Sequence, residues 1–504
     1  RDLNVFFIEI KGESIPVSSV GLIFHTPFAP FGIEICDDLW MPVPPSSKLA
    51  MQGADIIFNL SASNELVGKN AYRKSLVLQQ SGRCNAAYVY ASAGYGESST
   101  DLVFSGAAIL AENATLLAEG KRFSLDNEMI ISDIDVVALR GDRLKNSNFI
   151  PPQEESVSEI ECALEAVSTG KWYRKFNPYP FIPSPEKEDE YLSEVFNIQT
   201  AGLAKRLQHT GIKTVTMGIS GGLDSTLALL VTTKTFDFLG LPRENIIGIT
   251  MPGFGTTGRT YNNAVELMKS VGVTVKEIPI VNAVTQHLKD IEHDINLHDI
   301  TYENAQARER TQILMDYANK INGLVVGTGN LSELALGWAT YNGDHMSMYG
   351  VNASVPKTLV KTLVRWIADT QMGDQPRKIL HDILDTPFSP ELLPADKEGK
   401  IAQKTEHFIG PYELHDFFLH RMLRYGDSPK RIYFIAQQAF VNQYSPEEIL
   451  KWLKVFYKRF FAQQFKRSCM PDGPKVGSVN LSPRGDWRMP SDAVVNVWLK
   501  ELEN

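Results

Sequence analysis

The residues best suited to chemistry form the segment Ser220-Gly221-Gly222-Leu223-Asp224-Ser225. It follows an apolar run at 215–219 that predicts a buried strand, and it leads into a run at 223–239 that predicts a helix. Adjacent glycines let the backbone approach a ligand closely, and the amides of a helix N-terminus attract anions. Because Asp224 could also hold Mg²⁺ beside a nucleotide, the segment predicts a phosphate-binding loop. The alternative is an ordinary Gly-Gly turn with polar caps.

A second reactive group is the thiol of Cys36, which stands directly after an apolar run at 31–35 that predicts a strand. A thiolate is a strong nucleophile, although a lone buried cysteine more often serves packing. The other cysteines, at 84, 162 and 469, are widely spread and form no CxxC pair. This spacing favours neither a disulfide framework nor a structural zinc site, and it suits a reducing, cytoplasmic setting.

The length and charge of the chain set limits on its partners. A chain of 504 residues predicts two or three domains. The net charge of −9 comes without a basic block, so we expect a small anionic ligand and no nucleic acid. No apolar run is long enough to cross a bilayer, and the first residues lack a signal-peptide pattern, so we expect no membrane partner.

Residues 1–140 predict a strand-rich α/β domain. Strands are expected at 31–36, 55–59, 87–91, 107–110 and 129–136, a helix at 68–80, and a hairpin turn at 113–115. The first thirty residues contain no clear periodic element. Residues 141–190 are polar and proline-rich, which predicts a connecting segment that lies along a surface.

Residues 191–504 predict a second domain in which strands and helices alternate. After the phosphate-binding loop, we expect strands at 246–251, 273–280 and 324–327 and helices at 261–270 and 303–319, followed by mainly helical structure beyond 358. Such alternation predicts a parallel sheet with helices on both faces, in which ligands bind at the carboxyl ends of the strands.

Several motifs together resemble a known family. The SGGLDS segment resembles the pyrophosphate-binding loop of the ATP pyrophosphatase group, and the blocks at 303–308, 327–333, 337–341 and 355–358 resemble those of NAD⁺ synthetases. The block at 464–468 and the nitrilase-like region around Cys36 indicate the glutamine-dependent form. The resemblance implies a nitrilase-like α/β sandwich domain, followed by a doubly wound parallel-sheet ATP pyrophosphatase domain with a helical C-terminal region.

The resemblance also implies an activity and its residues. The family amidates nicotinic acid adenine dinucleotide to NAD⁺ through an adenylated intermediate, with ATP as cosubstrate and Mg²⁺ as cofactor. The implied ATP contacts are Gly218, Ile219, Ser220, Gly221, Gly222, Leu223, Asp224, Ser225, Thr328 and Lys357, with Asp224 and Glu333 on Mg²⁺. The implied dinucleotide contacts are Asn304, Glu333, Trp338, Ala339, Thr340, Tyr341 and Lys466, with Arg308 as a further candidate. The loop at 253–260 resembles a lid.

In the front domain the resemblance implies that Cys36 attacks glutamine, releases ammonia and leaves a thioester that water hydrolyses. The implied glutamine contacts are Asp37, Trp40, Ser63 and Lys69, the last standing where the family commonly has Arg. The family's general-base Glu and its Lys are not found before Cys36, and the surroundings of Glu9 and Lys11 do not match. We expect a missing N-terminal segment; the alternative is an inactive glutaminase.

Two other functions remain open at this stage. One is another amidotransferase of the ATP pyrophosphatase group, acting on a purine or an amino acid. The other is a chain whose amidase domain serves assembly alone. In the favoured interpretation, the partners are ATP, nicotinic acid adenine dinucleotide and glutamine, and the resemblance implies a homo-oligomer.

Overall fold

The computed structural model describes residues 5–18, 21–97, 100–150, 157–165, 171–256, 258–386 and 408–503. The chain divides into two compact units, the first made of residues 1–176 with 425–427 and the second of 177–424 with 428–504. The boundary lies inside the connecting segment expected at 141–190. Among the described residues, none of the helices is long and apolar enough to cross a membrane.

The first unit is built on a mixed sheet of seven strands. Its elements are β1 (Val5–Ile10), β2 (Glu13–Ser18), β3 (Leu22–His25), β4 (Phe31–Ile35), α1 (Pro45–Met51), β5 (Ile56–Ser61), α2 (Lys69–Arg83), β6 (Ala87–Ser92), β7 (Ala108–Glu112), β8 (Thr115–Glu119), α3 (Val136–Lys145) and β9 (Ser158–Glu161). The sheet order is β8-β7-β6-β5-β4-β3-β9, and β1 pairs with β2 in a separate hairpin. Strands β4, β5 and β6 are mutually parallel, so their carboxyl ends share one edge.

The core of this unit lies between the sheet and helices α1 and α2. Leu49, Ile57, Val77 and Tyr88 are fully buried there. A side chain at Gly32 would lie 2.8 Å from Leu49, so this glycine lets α1 approach β4 closely. The predicted strands at 31–36, 55–59, 87–91 and 107–110 are confirmed within two residues, and the predicted helix at 68–80 is confirmed within three.

Two predictions for this unit were wrong. The first thirty residues do contain regular structure, because β1 and β2 form a hairpin around Lys11 and Gly12, whose φ angles are +52° and +83°. The expected strand at 129–136 is absent: Asp135 accepts a hydrogen bond from the Ala138 amide (2.9 Å) and starts α3 instead. Nearby, Asp133 accepts the amides of residues 173 and 174, at 2.7 and 2.9 Å, with its side chain.

The second unit contains a parallel five-stranded sheet. Its first part comprises α4 (Glu188–Thr210), β10 (Val215–Gly218), α5 (Leu223–Leu239), β11 (Ile246–Thr250), α6 (Gly258–Ser270), β12 (Thr274–Glu277), α7 (Val281–Asp290), α8 (Ile300–Lys320), β13 (Leu324–Gly327), α9 (Leu331–Leu336), β14 (Tyr349–Gly350), α10 (Lys357–Gln371) and α11 (Asp374–Leu384). The strand order is β12-β11-β10-β13-β14. The chain leaves the central strand β10 toward one edge and returns beside it with β13, which makes a topological switch point, the usual ligand position in such sheets.

Local sequence explains why this sheet forms. Strand β10 is a short apolar run, and α5 is buried on nearly all sides because it packs against α4 and α10 as well as the sheet. The predicted helix at 223–239 and strand at 324–327 are confirmed, whereas the strand expected at 273–280 covers only Thr274–Glu277. The sheet is therefore the doubly wound type expected from the alternating pattern.

The second unit continues with a mainly helical region, as predicted. Its helices are α12 (Tyr412–His420), α13 (Pro429–Ala439), α14 (Pro446–Ala462), α15 (Gln464–Ser468) and α16 (Asn496–Glu501). Aromatic rings fill the space between α12 and α14, where Phe418 and Phe456 have ring centroids 5.9 Å apart. This region packs against α9 and α10, whose first turns face the site described next.

Candidate active sites

The phosphate-binding loop lies at the carboxyl end of β10 and runs into α5. Gly221 has a φ of +89°, and a Cβ there would lie 2.2 Å from the carbonyl oxygen of Thr260, so only glycine fits. The Ser220 hydroxyl accepts the amide of Gly222 at 3.2 Å, and the Ser225 hydroxyl donates to the Gly222 carbonyl at 3.0 Å. The loop is thus held by its own serines.

Three charged side chains meet beside this loop. Lys357 Nζ donates to Asp224 Oδ2 and lies 3.5 Å from Glu333 Oε1. Asn330 Nδ2 donates to the other oxygen of Asp224 at 2.9 Å. Each charged residue stands in the first turn of a different helix, α5, α9 or α10, so three helix N-termini converge on one point. Partial positive charge from those helices adds to that of Lys357 and makes the point suitable for an anion.

The charged groups in this cluster shift one another's pKa values. Burial and the nearby Asp224 carboxylate raise the pKa of Glu333 to about 7, despite Lys357. Burial disfavours the charge of Lys357, but Asp224 and Glu333 outweigh that cost and raise the pKa of its ammonium. Lys357 is therefore charged at neutral pH, and Glu333 can exchange a proton there.

Thr328 joins the same cluster through its backbone. Asn352 Nδ2 donates to the carbonyl oxygens of Asp224, at 2.9 Å, and Thr328, at 3.1 Å. Thr328 also lines a cavity together with Glu333 and Asp344. The residues implied for ATP thus all lie at the switch point. Most belong to the loop itself, while hydrogen bonds join Lys357 to Asp224 directly and Thr328 to Asp224 through Asn352.

The residues implied for the dinucleotide also come together. Thr340 Oγ1 donates to Asn304 Oδ1 at 2.7 Å, and Arg308 Nε donates to the Tyr341 carbonyl at 3.3 Å. Helix α8 therefore contacts the segment that follows α9. The predicted block at 337–341 forms one surface with the predicted block at 303–308.

Lys466 reaches the same segment from α15. Its Nζ donates to the carbonyls of Gly337, at 2.8 Å, and Ala339, at 2.6 Å. The Arg459 guanidinium lies 5.0 Å from the ring of Trp338. These backbone carbonyls hold the Lys466 ammonium in place, while burial lowers its pKa.

Sequence reasoning missed two residues of the cavity, Asp344 and His345. Asp344 Oδ1 accepts the Thr340 amide at 2.7 Å. His345 Nδ1 accepts the Asn342 amide at 2.8 Å. Both residues follow the 337–341 block closely, so the signal that could have found them was proximity to a recognised motif.

The residues present fit a magnesium ion. In the part of the chain that the structure describes, no group of three or more His, Cys, Asp or Glu side chains could hold a metal. Asp224 and Glu333, however, both lie beside the same ammonium group. Mg²⁺ is commonly held by one or two carboxylates together with substrate phosphates and water, so two carboxylates beside a phosphate-binding loop suffice.

Two hydrogen bonds hold the start of the segment at 253–260, which is the expected lid. The Gly253 amide donates to Thr256 Oγ1 at 3.0 Å, and the Phe254 amide donates to Gln306 Oε1 at 3.3 Å. Residue 257 lies outside the described residues, and α6 begins at Gly258. Closure of this segment over a substrate stays a prediction.

In the first unit, Cys36 stands at the carboxyl end of β4 with a φ of +47°. This left-handed backbone conformation is uncommon for a residue with a side chain and is often found at functional sites. Its carbonyl accepts a hydrogen bond from Asn59 at 3.4 Å, and its Sγ lies 3.8 Å from Asp37 Oδ1. The thiol is half-buried, which leaves it open to a substrate.

The residues implied for glutamine lie on neighbouring segments. Lys69 Nζ lies 5.6 Å from the ring of Trp40 and donates to the Asn64 carbonyl at 2.9 Å. Trp40 Nε1 is buried and has no hydrogen-bond partner among the described residues. Ser63 is buried, and its amide donates to Ser92 at 3.4 Å. The buried Trp40 Nε1–H group is a donor that suits the carbonyl oxygen of an amide substrate.

A buried polar network beneath Cys36 was not predicted. Glu34 is 1% exposed and accepts hydrogen bonds from the Tyr88 hydroxyl and from the Ser46 amide, the latter at 2.8 Å. Asn59 Nδ2 lies 3.1 Å from that hydroxyl and also donates to Cys36. Burial and the Glu34 charge raise the pKa of Tyr88. Glu9 and Lys11, two of the charged residues upstream, are exposed on the β1–β2 hairpin.

Fold and sites define a class of protein: a nucleotide-binding unit of the doubly wound type, joined in one chain to a unit with a cysteine at a strand end. Comparisons agree with this division. The NAD synthase family model matches residues 195–460, and the carbon-nitrogen hydrolase family model matches residues 11–143.

Known relatives cover most of the chain. The glutamine-dependent NAD(+) synthetase of Mycobacterium leprae is 43% identical, over 96% of this chain and 75% of that protein. The corresponding protein of Thermotoga maritima is 29% identical, over 95% of this chain and 76% of its own length. The chain therefore belongs to the glutamine-dependent NAD(+) synthetase family. A crystal structure of such a synthetase from Cytophaga hutchinsonii shares the fold, with a TM-score of 0.53 at 19% identity, over 100% of this chain and 78% of that one.

Proposed function

We propose that this protein amidates nicotinic acid adenine dinucleotide to NAD⁺, with ATP as the activating cosubstrate and ammonia from glutamine as the nitrogen source. The observation that carries the proposal is the cluster of Asp224, Glu333 and Lys357 beside the phosphate-binding loop at the switch point. Membership of the family supports the choice of substrate, because the relatives are named for this reaction.

The first step activates a carboxylate, which by itself is a poor acceptor for ammonia. A carboxylate oxygen of the nicotinate ring attacks the α-phosphorus of ATP, and the bond from that phosphorus to pyrophosphate breaks. Negative charge builds on the phosphoryl oxygens, so the protein's task is positioning and charge stabilisation. Lys357 and the loop amides of residues 220–225 perform it.

The second step forms the amide. Ammonia attacks the carbonyl carbon of the acyl adenylate, the new carbon-nitrogen bond forms, and AMP leaves with the electron pair of the broken bond. Nitrogen must lose a proton to become an amide, and Asp344, a carboxylate that lines the same cavity, can accept it.

Magnesium would be held by Asp224 and Glu333. The bound ion neutralises charge on the phosphates of ATP. Lys357 keeps the two carboxylates apart and in place. Asn330, which donates to Asp224 and caps α9 ahead of Glu333, fixes the positions of both carboxylates.

The first unit would supply ammonia. Cys36 Sγ attacks the side-chain amide carbon of glutamine, ammonia departs, and water then hydrolyses the thioester to glutamate. Asp37, Trp40, Ser63 and Lys69 would bind the glutamine. In this proposal residues 1–140 form the amidase domain, 141–190 the connecting segment and 191–504 the synthetase domain. The protein would act as a homo-oligomer in the cytoplasm.

A direct experiment compares nitrogen sources. NAD⁺ formation is measured with ATP, Mg²⁺ and nicotinic acid adenine dinucleotide, supplied with either glutamine or ammonium. NAD⁺ from ammonium supports the synthetase assignment, and NAD⁺ from glutamine supports the amidase assignment as well. Failure with both nitrogen sources would contradict the proposal. Xanthylate and aspartate serve as control acids, because another amidotransferase of this group would use one of them.

A further inference from the structure

A buried carboxylate lies behind the synthetase site, outside every residue block that pointed to function. Asp416 on α12 is 1% exposed. Its Oδ1 accepts the hydroxyl of Ser332, and its Oδ2 accepts both the amide of Thr358, at 3.0 Å, and the hydroxyl of Thr358, at 2.7 Å. One carboxylate therefore joins two other helices, α9 and α10.

The first turns of those two helices also carry two of the three charged residues of the site, Glu333 and Lys357. Ser332 and Glu333 are the second and third residues of α9, while Lys357 and Thr358 are the first and second residues of α10. The Lys357 amide donates to the Ser332 hydroxyl at 2.8 Å. Amides of a first helical turn lack partners within the helix, so the Asp416 and Ser332 oxygens satisfy two of them in α10 and fix where that helix begins.

The same helix also touches the Lys357 side chain. Tyr412 stands one turn before Asp416 on α12, and its ring lies 5.7 Å from Lys357 Nζ. Residues four apart share one face of a helix, so a single face of α12 contacts both the amide of Thr358 and the ammonium of Lys357.

We propose that Asp416 is a positioning residue that sets Lys357 and Glu333 for the phosphates of ATP. The inference rests on the proposed function and extends it to a residue that does not touch substrate. Both oxygens of the Asp416 carboxylate act as acceptors. A side-chain amide in its place would therefore set an N–H group against the Thr358 amide or the Ser332 hydroxyl. A shift of about 1 Å in a charged group can cost roughly 100-fold in rate.

The test uses Asp416→Asn and Thr358→Val, with Thr362→Val as the matched control. Thr362 lies one turn further along α10, and within the described part of the chain its hydroxyl bonds only its own helix, through the Thr358 carbonyl at 3.3 Å. Steady-state rates of ammonium-driven NAD⁺ formation are measured while ATP and the dinucleotide are varied in turn. In the first two variants we expect the KM for ATP to rise and kcat/KM for ATP to fall about 10- to 100-fold, the usual effect of losing a group that orients metal-binding residues. The KM for the dinucleotide should not change.

A merely structural role gives a different pattern. Partial unfolding lowers the amount of active enzyme and hence kcat, but it leaves the KM for ATP unchanged. That result, in Asp416→Asn or in Thr358→Val if the former does not fold, would overturn the proposal. A wild-type protein that makes no NAD⁺ from ammonium would overturn the proposed function and the positioning role together. An active wild type with unaltered variants overturns the positioning role alone.

Discussion

Lys357 is the residue on which the charge balance of the synthetase site depends. Its ammonium separates Asp224 from Glu333, and all three side chains are largely buried. Without it, two carboxylates would face each other in a site of low polarity, where unpaired charges are costly. The same ammonium would meet the phosphates of ATP, so its loss affects both the free protein and the reaction.

Replacing Lys357 by Met should therefore lower kcat for ammonium-driven NAD⁺ formation about 100- to 1000-fold, the usual cost of removing one group that stabilises developing negative charge. Lys361→Met, one turn along the same helix at an exposed position, is the matched control. Rates are measured at saturating ATP. Equal rates in the two variants would show that Lys357 does not act on the phosphates.

A substitution at Cys36 should affect only the reaction that takes its nitrogen from glutamine. Cys36→Ala should abolish glutamine-driven NAD⁺ formation and leave ammonium-driven formation intact, because the thiol acts only on glutamine. A glutamine analogue bearing a diazoketone should label the wild-type thiol, as read by mass spectrometry. Cys162→Ala is the control, since that cysteine follows the edge strand β9. Loss of ammonium-driven formation in Cys36→Ala would mean that Cys36 serves the fold.

At the scale of elements, the close approach of the phosphate-binding loop to α6 depends on one glycine. Gly221→Ala would place a methyl group 2.2 Å from the Thr260 carbonyl oxygen and hold a side chain at a φ of +89°. We expect a loss of at least about 1 kcal/mol in the free energy of unfolding and roughly 100-fold in kcat/KM for ATP. Gly477→Ala, which meets open space, is the control. Equal effects of both substitutions on denaturant unfolding and kinetics would contradict this role.

Much of the second unit could be predicted from sequence because its signals are local. Strand β10 lies in a largely apolar run, and the apolar spacing of Leu223–Leu239 predicts that helix to the residue, with glycine flanking both of its ends. The β1–β2 hairpin was missed because Lys11-Gly12 is a weaker turn signal than Asn-Gly. The run at 129–136 has a strand-like composition. Its structure is decided instead by Asp135, which caps α3, and by Asp133, whose side chain accepts the amide of residue 173.

The candidate sites divide in the same way. Asp224 and Cys36 could be found because each follows a strand within a compact motif. Asn352 and Asp416 stand outside the recognised blocks and bond partners more than fifty residues away, so no spacing in the sequence marks them. Their positions follow from the packing of α9, α10 and α12 around the switch point.

At the scale of the whole molecule, pH should change stability through a buried histidine. Burial lowers the pKa of His415 to about 4, and its Nε2 donates to the Ile409 carbonyl. The unfolded chain therefore binds one more proton between the ordinary histidine value and about 4, so the stability present above that ordinary value is lost as pH falls. The loss amounts to about 3 kcal/mol, since one pKa unit corresponds to about 1.4 kcal/mol.

The variant His415→Gln isolates this effect. Denaturant unfolding at neutral pH and near pH 4 gives the free-energy difference between wild type and variant, which should shift by about 3 kcal/mol in favour of the variant as pH falls. His209→Gln, at the exposed end of α4, should show no such shift. A difference that stays constant with pH would mean that His415 is not held neutral by the fold.

The molecule as a whole is expected to activate the nicotinate carboxylate by joining it to the α-phosphorus of ATP. The measurement is isotope transfer: nicotinic acid adenine dinucleotide labelled with ¹⁸O in its nicotinate carboxylate is converted with ATP, Mg²⁺ and ammonium, and the products are analysed by mass spectrometry. We predict equal amounts of NAD⁺, AMP and pyrophosphate, with one ¹⁸O atom carried into the AMP. Unlabelled AMP, or ADP and labelled phosphate in its place, would contradict the account.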